Sequence, residues 1–176
     1  MNYQEKMVRT ASEDETKKLL AEYGAKMTQF ELGLIVSKNA FEQWVVRCGA
    51  AAGMKGYSPL ELLVLHMIEY NGRPKRIADI CFGLKVEDTH LVSYALKKLA
   101  KAELVESRKD GKETFFSNTA SGSTIVKNYQ EVRQKYLIRS LTMFSDKELD
   151  LEQLASVLRT LSGIYEQAAR NVETST

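Results

Sequence analysis

The sequence predicts a mainly α chain carrying one small β-hairpin. Three observations lead there. Only two prolines and ten glycines occur in 176 residues, so little interrupts long helices. Apolar residues recur in steps of three and four over most of the length. One stretch breaks that rhythm: LVESRKDGKETFFSN, at 104–118, alternates on either side of Lys-Asp-Gly-Lys.

Residues 1–26 are polar, with a charged run SEDETKK at 12–18, and read as an N-terminal extension, either an arm or a short first helix. From Met27 the pattern becomes helical. Met27, Phe30, Leu34, Phe41, Trp44 and Cys48 keep a three-four rhythm, interrupted at Ser37, and form a stripe on one helix face. This first long helix occupies 27–56 and stops near Gly53 to Gly56.

Ser58-Pro59-Leu60-Glu61 is a helix start. Ser58 caps the backbone and Glu61 reaches back to it, while Pro59 falls where no N–H is needed. The helix that follows, LELLVLHMIEY, is apolar nearly all round and belongs at the centre of the core, with His66 as a core or partly buried histidine. Asn71-Gly72 ends it.

A short helix is expected over about Pro74 to Phe82, stopped by Gly83. Asp88 caps the next, which runs from Thr89 to about Ala102. At about 100° per residue, Leu91, Val92, Ala95, Leu96, Leu99 and Ala102 gather on a core arc. His90, Ser93, Tyr94, Lys97 and Lys101 fall on the opposite arc.

In the hairpin, Leu104, Glu106 and Arg108 alternate with Val105 and Ser107. Lys109-Asp110-Gly111-Lys112 turns, because Asp-Gly accepts positive φ, and Thr114 to Ser117 returns. A lone hairpin is marginal, so it must lean on the helices beside it.

Residues 119–176 are helical. Thr119 or Ser121 caps a helix reaching about Phe144, and Ser145-Asp146-Lys147-Glu148 is a second capping signal. Leu151, Leu154, Leu158, Leu161, Tyr165 and Ala168 then keep the spacing of three heptads of a and d positions. The first stripe and these terminal helices hold more apolar helix than one small core needs. A subunit interface through Phe30, Leu34, Phe41, Leu151, Leu154, Leu158, Leu161 and Tyr165 is the expectation.

Net charge is +2, but it is unevenly spread. From Arg73 to Lys112 there are ten Lys/Arg against six Asp/Glu, a local excess of +4 that suits a polyanionic partner. Cys48 and Cys81 lie far apart with no CxxC pair, and two histidines set no metal spacing, so neither metal nor cofactor is expected. No apolar stretch approaches a membrane span and MNYQEKMVRT lacks a signal-peptide core, so the expected location is the cytoplasm. No nucleophile elbow, Walker loop, GxGxxG or HExxH occurs, so an enzyme is not expected.

Helix, turn, helix and a charged-tip hairpin in direct succession, over 57–118, make a winged helix-turn-helix domain. The major groove of DNA, about 12 Å wide, admits one helix. Helix 89–101 offers it hydrogen-bonding groups at its N-terminal end and lysines further along. The hairpin would meet phosphates or a minor groove beside it, through Arg108, Lys109 and Lys112. Lys75 and Arg76, ahead of the first helix of the pair, are further candidate contacts.

Over residues 27–172 the sequence resembles the MarR-type (multiple antibiotic resistance regulator) winged-helix transcription factors. SPLELLVLHMIEYNG is similar to the family's core helix and RIADICFGL to its first helix-turn-helix helix. EDTHLVSYALKKLAKAELV is similar to its recognition helix, and ESRKDGKETFFSNTASG to its wing. The resemblance implies a homodimer joined by its first and last helices, each subunit presenting one winged helix to half of a roughly two-fold operator. It implies Thr89, His90, Ser93, Tyr94 and Lys97 as the DNA-contacting face, with Arg108, Asp110 and Lys112 at the wing tip. Many family members sense a small molecule between the dimer and DNA-binding lobes. Here Phe41 and Trp44 are dimer core or pocket lining, and no effector can be named. The sequence departs from the family at Glu103, where glycine is frequent, and at the tip, where Gly111-Lys112 follows Asp110. Lysine lacks the planar fork of arginine. The alternative reading is a winged-helix module that binds protein rather than specific DNA.

Overall fold

The computed structural model describes residues 13–142 and 150–175, and divides into two compact units, residues 1–130 and 131–176. The capping signal at Ser145 to Glu148 and the helix end near Phe144 lie outside the described residues.

In the first unit, α1 spans Glu13–Ala51, 39 residues. Residues 13–26 are thus the first turns of the same helix and not a separate arm. α1 ends at the paired glycines, where Gly53 has φ +111. α2 spans Pro59–Glu69, and its predicted capping box is formed. The Ser58 N–H donates to Glu61 Oε2 at 2.8 Å, and the Glu61 N–H donates to Ser58 Oγ at 3.3 Å. A 3₁₀ turn follows at Tyr70–Gly72, with Asn71 at φ 65.

α3 spans Ile77–Leu84, later than the sequence suggested. Pro74 does not open a helix, because Lys75 pairs its backbone with Phe116 of the hairpin at 3.0 and 2.8 Å. Gly83 lies inside the helix, and Lys85 at φ 54 ends it. α4 spans Thr89–Lys101, capped by Asp88, which accepts from the His90 N–H at 2.8 Å.

α4 ends in a Schellman motif. The Glu103 N–H donates to the Ala100 carbonyl and the Leu104 N–H to the Leu99 carbonyl, both at 3.0 Å. Glu103 takes φ 57, a left-handed position that disfavours any Cβ. Glu103→Gly is therefore expected to raise stability by about 0.5–1 kcal/mol, readable as a higher urea midpoint at unchanged m.

β1 (Val105–Asp110) and β2 (Glu113–Asn118) pair antiparallel, Val105 opposite Asn118 and Asp110 opposite Glu113. The turn is Gly111-Lys112, with Gly111 at φ 60. The hairpin leans on the helices, as an isolated pair of strands must. Asn118 Nδ2 donates to the Leu65 carbonyl at 3.2 Å and to Glu69 Oε2 at 2.8 Å. α5 spans Ala120–Arg133, and Thr119 caps it by accepting from the Gly122 N–H at 3.1 Å.

The core centres on α2, as its all-round apolar character predicts. Leu62, Val64, Leu65 and Ile68 are buried with Val45 of α1, Ile80 of α3, Val92 and Leu99 of α4, and Val126 of α5. The His66 ring meets Tyr129 edge-on at 4.3 Å between centroids. Cys48 and Cys81 are buried, and burial pushes the Cys81 thiol pKa up, away from a reactive thiolate. The predicted core arc of α4 is corrected at two of its six positions. Val92, Ala95, Leu96 and Leu99 are buried, but Leu91 is 52 % exposed and Ala102, as the C-cap, is also exposed.

The second unit holds the end of α5, a π-helical turn at Gln134–Ile138, α6 (Arg139–Leu141) and α7 (Leu151–Ser175). Leu151, Leu154, Leu158 and Tyr165 of α7 are exposed, and Leu161 is half-buried. No described helix is long and apolar enough to cross a membrane.

Candidate nucleic-acid interface

α4 is amphipathic because four apolar side chains take one arc, and its remaining surface is therefore solvent-facing. Thr89, His90, Tyr94, Lys97 and Lys101 are exposed, and Ser93 is half-buried. Tyr94 stands 68 % exposed in the middle of this face. The outward arc expected from periodicity is thus brought together on one helix side. Its hydroxyl, imidazole and phenol groups precede its lysines. Among the described residues, no ion pair or hydrogen bond engages the side chains of Lys97, Lys101, Lys109 or Lys112.

The wing offers a less basic tip than its cations alone suggest. Arg108, Lys109, Asp110 and Lys112 are exposed, but Glu106, Asp110 and Glu113 stand among them. Arg108 faces Phe115 across the hairpin, and together with Pro74 and Glu106 they line a shallow groove. Arg108 therefore lies on the sheet face, while Lys109 and Lys112 lie nearer the turn.

Lys75 and Arg76 are engaged by other groups of the protein. The Lys75 ammonium donates to the carbonyls of Ile68 at 3.2 Å, Arg73 at 3.1 Å and Tyr70, closing the end of α2. Partial burial lowers its pKa. Arg76 donates from Nη2 to Asp79 Oδ1 at 2.9 Å and from Nη1 to Glu113 Oε1 at 2.6 Å, tying α3 to the wing. The hydrogen bonds from the Arg76 side chain and from its backbone N–H hold Asp79 at a pKa of about 2. Because this pKa is depressed, its support for the start of α3 is present at neutral pH and is lost as pH falls from the ordinary carboxylate range toward 2.

Sequence reasoning missed four residues near this face. Lys98 does not point outward with Lys97 and Lys101 but pairs with Glu61 at 2.7 Å. Glu113 holds the wing through Arg76. Leu91, assigned to the core, adds an apolar edge beside Tyr94, and Phe82 at the end of α3 is 76 % exposed. Periodicity hinted at Leu91, since it lies at the margin of the core arc. Nothing local pointed to the two long-range ion pairs. Among the described residues, no group of three His, Cys, Asp or Glu is placed to hold a metal.

The model of the winged helix DNA-binding domain family matches residues 58–122, which span α2 to the first turn of α5. No curated protein matches the chain by sequence. Solved structures share its fold. A MarR family transcription regulator superimposes with a TM-score of 0.66 at 14 % identity, covering 86 % of this chain and 98 % of that one. A MarR family regulator from Neisseria meningitidis gives 0.65 at 19 % identity, covering 83 % and 97 %. MepR of S. aureus, solved as a DNA complex, gives 0.58 at 16 % identity, covering 76 % and 96 %.

Proposed function

We propose that this chain is a MarR-type transcriptional regulator: a cytoplasmic homodimer that reads a roughly two-fold operator with α4 in the major groove and the hairpin as wing. The observation that carries this reading is the exposed face of α4. It is polar at its N-terminal end and basic beyond, within a domain matched by a DNA-binding family. Thr89, His90, Ser93 and Tyr94 are the groups that reach base edges. Lys97, Lys101, Lys109 and Lys112 meet phosphates. Arg108 approaches DNA from the wing's face. Lys75 and Arg76 act by holding α2, α3 and the wing together. MepR was solved on DNA, and NadR, another structural neighbour (TM-score 0.57, 21 % identity), with 4-hydroxyphenylacetate. A small-molecule effector is part of the proposal by that likeness.

The dimer rests on exposed apolar helix. Phe30 and Phe41 of α1 and Leu151, Leu154, Leu158 and Tyr165 of α7 all present large apolar groups to solvent. Exposed apolar helix faces of this kind mark association surfaces. Leu158→Glu is expected to shift the sedimentation coefficient from dimer to monomer. An unchanged value would remove α7 from the interface.

The decisive experiment is selection of bound fragments from random duplex DNA at near-physiological salt. Recovery of paired half-sites about one helical turn apart supports the regulator and the dimer together. A second reading is favoured by exposed Phe82 and Leu91: a winged-helix module that docks a protein. Under it, no sequence would be enriched, and DNA binding would lack the steep salt dependence of counterion release.

A further inference from the structure

We propose that Lys98 is a positioning residue for DNA reading: it clamps α4 to the loop that leaves α1, and so sets the angle at which the reading helix is presented. The inference rests on the reading of α4 as the helix that enters the major groove.

Three lysines lie within five residues on α4, and one is turned toward α2. The Lys98 ammonium donates to Glu61 Oε2 at 2.7 Å and to the Gly56 carbonyl at 3.3 Å, and it sits 4.6 Å from the centre of the Tyr57 ring. Glu61 Oε2 is also the atom that receives the Ser58 N–H at 2.8 Å. One carboxylate oxygen thus joins the start of α2 to α4. The Glu61 side chain is only 7 % exposed, so this carboxylate depends on its partners. The loop it anchors contains Gly53 and Gly56, both at positive φ, which give that segment little stiffness of its own.

α2 and α4 also share the apolar core, with Leu62, Leu65, Val92 and Leu99 buried in it, and apolar packing is non-directional. A charge-assisted hydrogen bond has a preferred direction and length. Lys98 is the group that fixes rotation of α4 about the packed face. Base edges are read by directed hydrogen bonds, so a small rotation costs specific binding more than phosphate binding, which tolerates displacement.

The test uses the full chain and the operator selected by the wild type. Lys98→Met keeps the aliphatic stem and removes the charge. The pair Glu61→Gln/Lys98→Met keeps the fold testable, since it leaves no buried carboxylate without a cation. Affinity for the selected site is expected to fall on the order of tenfold, with affinity for unrelated DNA and the salt slope unchanged. Lys98→Arg is expected to restore most of the loss. A salt slope lower by about one, with equal weakening on all DNA, would instead make Lys98 a phosphate contact and overturn the proposal. A lower melting temperature with unchanged specificity would make it a merely structural residue and also overturn it. If the wild type selects no sequence, the regulator reading fails first, and the clamp with it.

Discussion

Gly122→Ala is expected to destabilise the protein by about 2 kcal/mol, although the position is helical and alanine is the better helix former. Two effects oppose one another. Glycine in a helix costs about 1 kcal/mol relative to alanine. A Cβ at Gly122, however, would fall deep inside van der Waals contact with the Leu104 carbonyl oxygen, and against Asn118 Cβ at 3.3 Å. That carbonyl is backbone and accepts from the Thr119 N–H at 3.0 Å, so it has little freedom to retreat. Overpacking of this kind costs about 1–3 kcal/mol, occasionally more, and the upper end applies where backbone is the obstacle. The clash wins. Chemical denaturation checks it, with Gly24→Ala as the control, since nothing lies within 4 Å of a Cβ there. That control is expected to gain several tenths of a kcal/mol. Equal stability of Gly122→Ala and the wild type would refute the close approach of α5 to the start of the wing.

Tyr94→Ala and Lys97→Ala are expected to weaken DNA binding in different ways. Tyr94 is exposed at the centre of the proposed reading face, and Lys97 one helical step on. Loss of a base contact costs about 1–3 kcal/mol and relaxes preference at one position. Loss of a phosphate contact weakens all sequences alike and lowers the salt slope by about one. Tyr94→Ala, and Ser93→Ala with it, should therefore alter which fragments are selected. Lys97→Ala, and Lys112→Ala at the wing, should leave the selected sequence intact while binding becomes less sensitive to salt. Titration of selected and scrambled duplexes at three salt concentrations separates these outcomes. If all four variants bind like the wild type, α4 is not the reading helix.

The contrast between Lys97 and Lys98 shows where sequence reasoning stops. Adjacent lysines on a helix look alike in sequence. One points to solvent, and the other reaches Glu61, 37 residues earlier. Arg76 is a similar case, bound to Asp79 three residues on and to Glu113 thirty-seven residues on.

What the sequence alone determined is everything that depends on neighbours a few residues apart. The Ser58–Glu61 capping box, the Asp88 cap, the α4 stripe from Val92 to Leu99 and the turn at Gly111 all follow from local geometry, and all are present. Tertiary structure decided the rest. The Lys75 backbone became a bridge to Phe116, which moved the start of α3 from Pro74 to Ile77. Leu91, on the margin of its stripe, stands 52 % exposed. Glu103 accepted a left-handed backbone because α4 must turn sharply into β1. For Lys75, Lys98 and Arg76 the deciding partner is distant along the chain, and only folding brings it within the few ångströms over which hydrogen bonds and packing act.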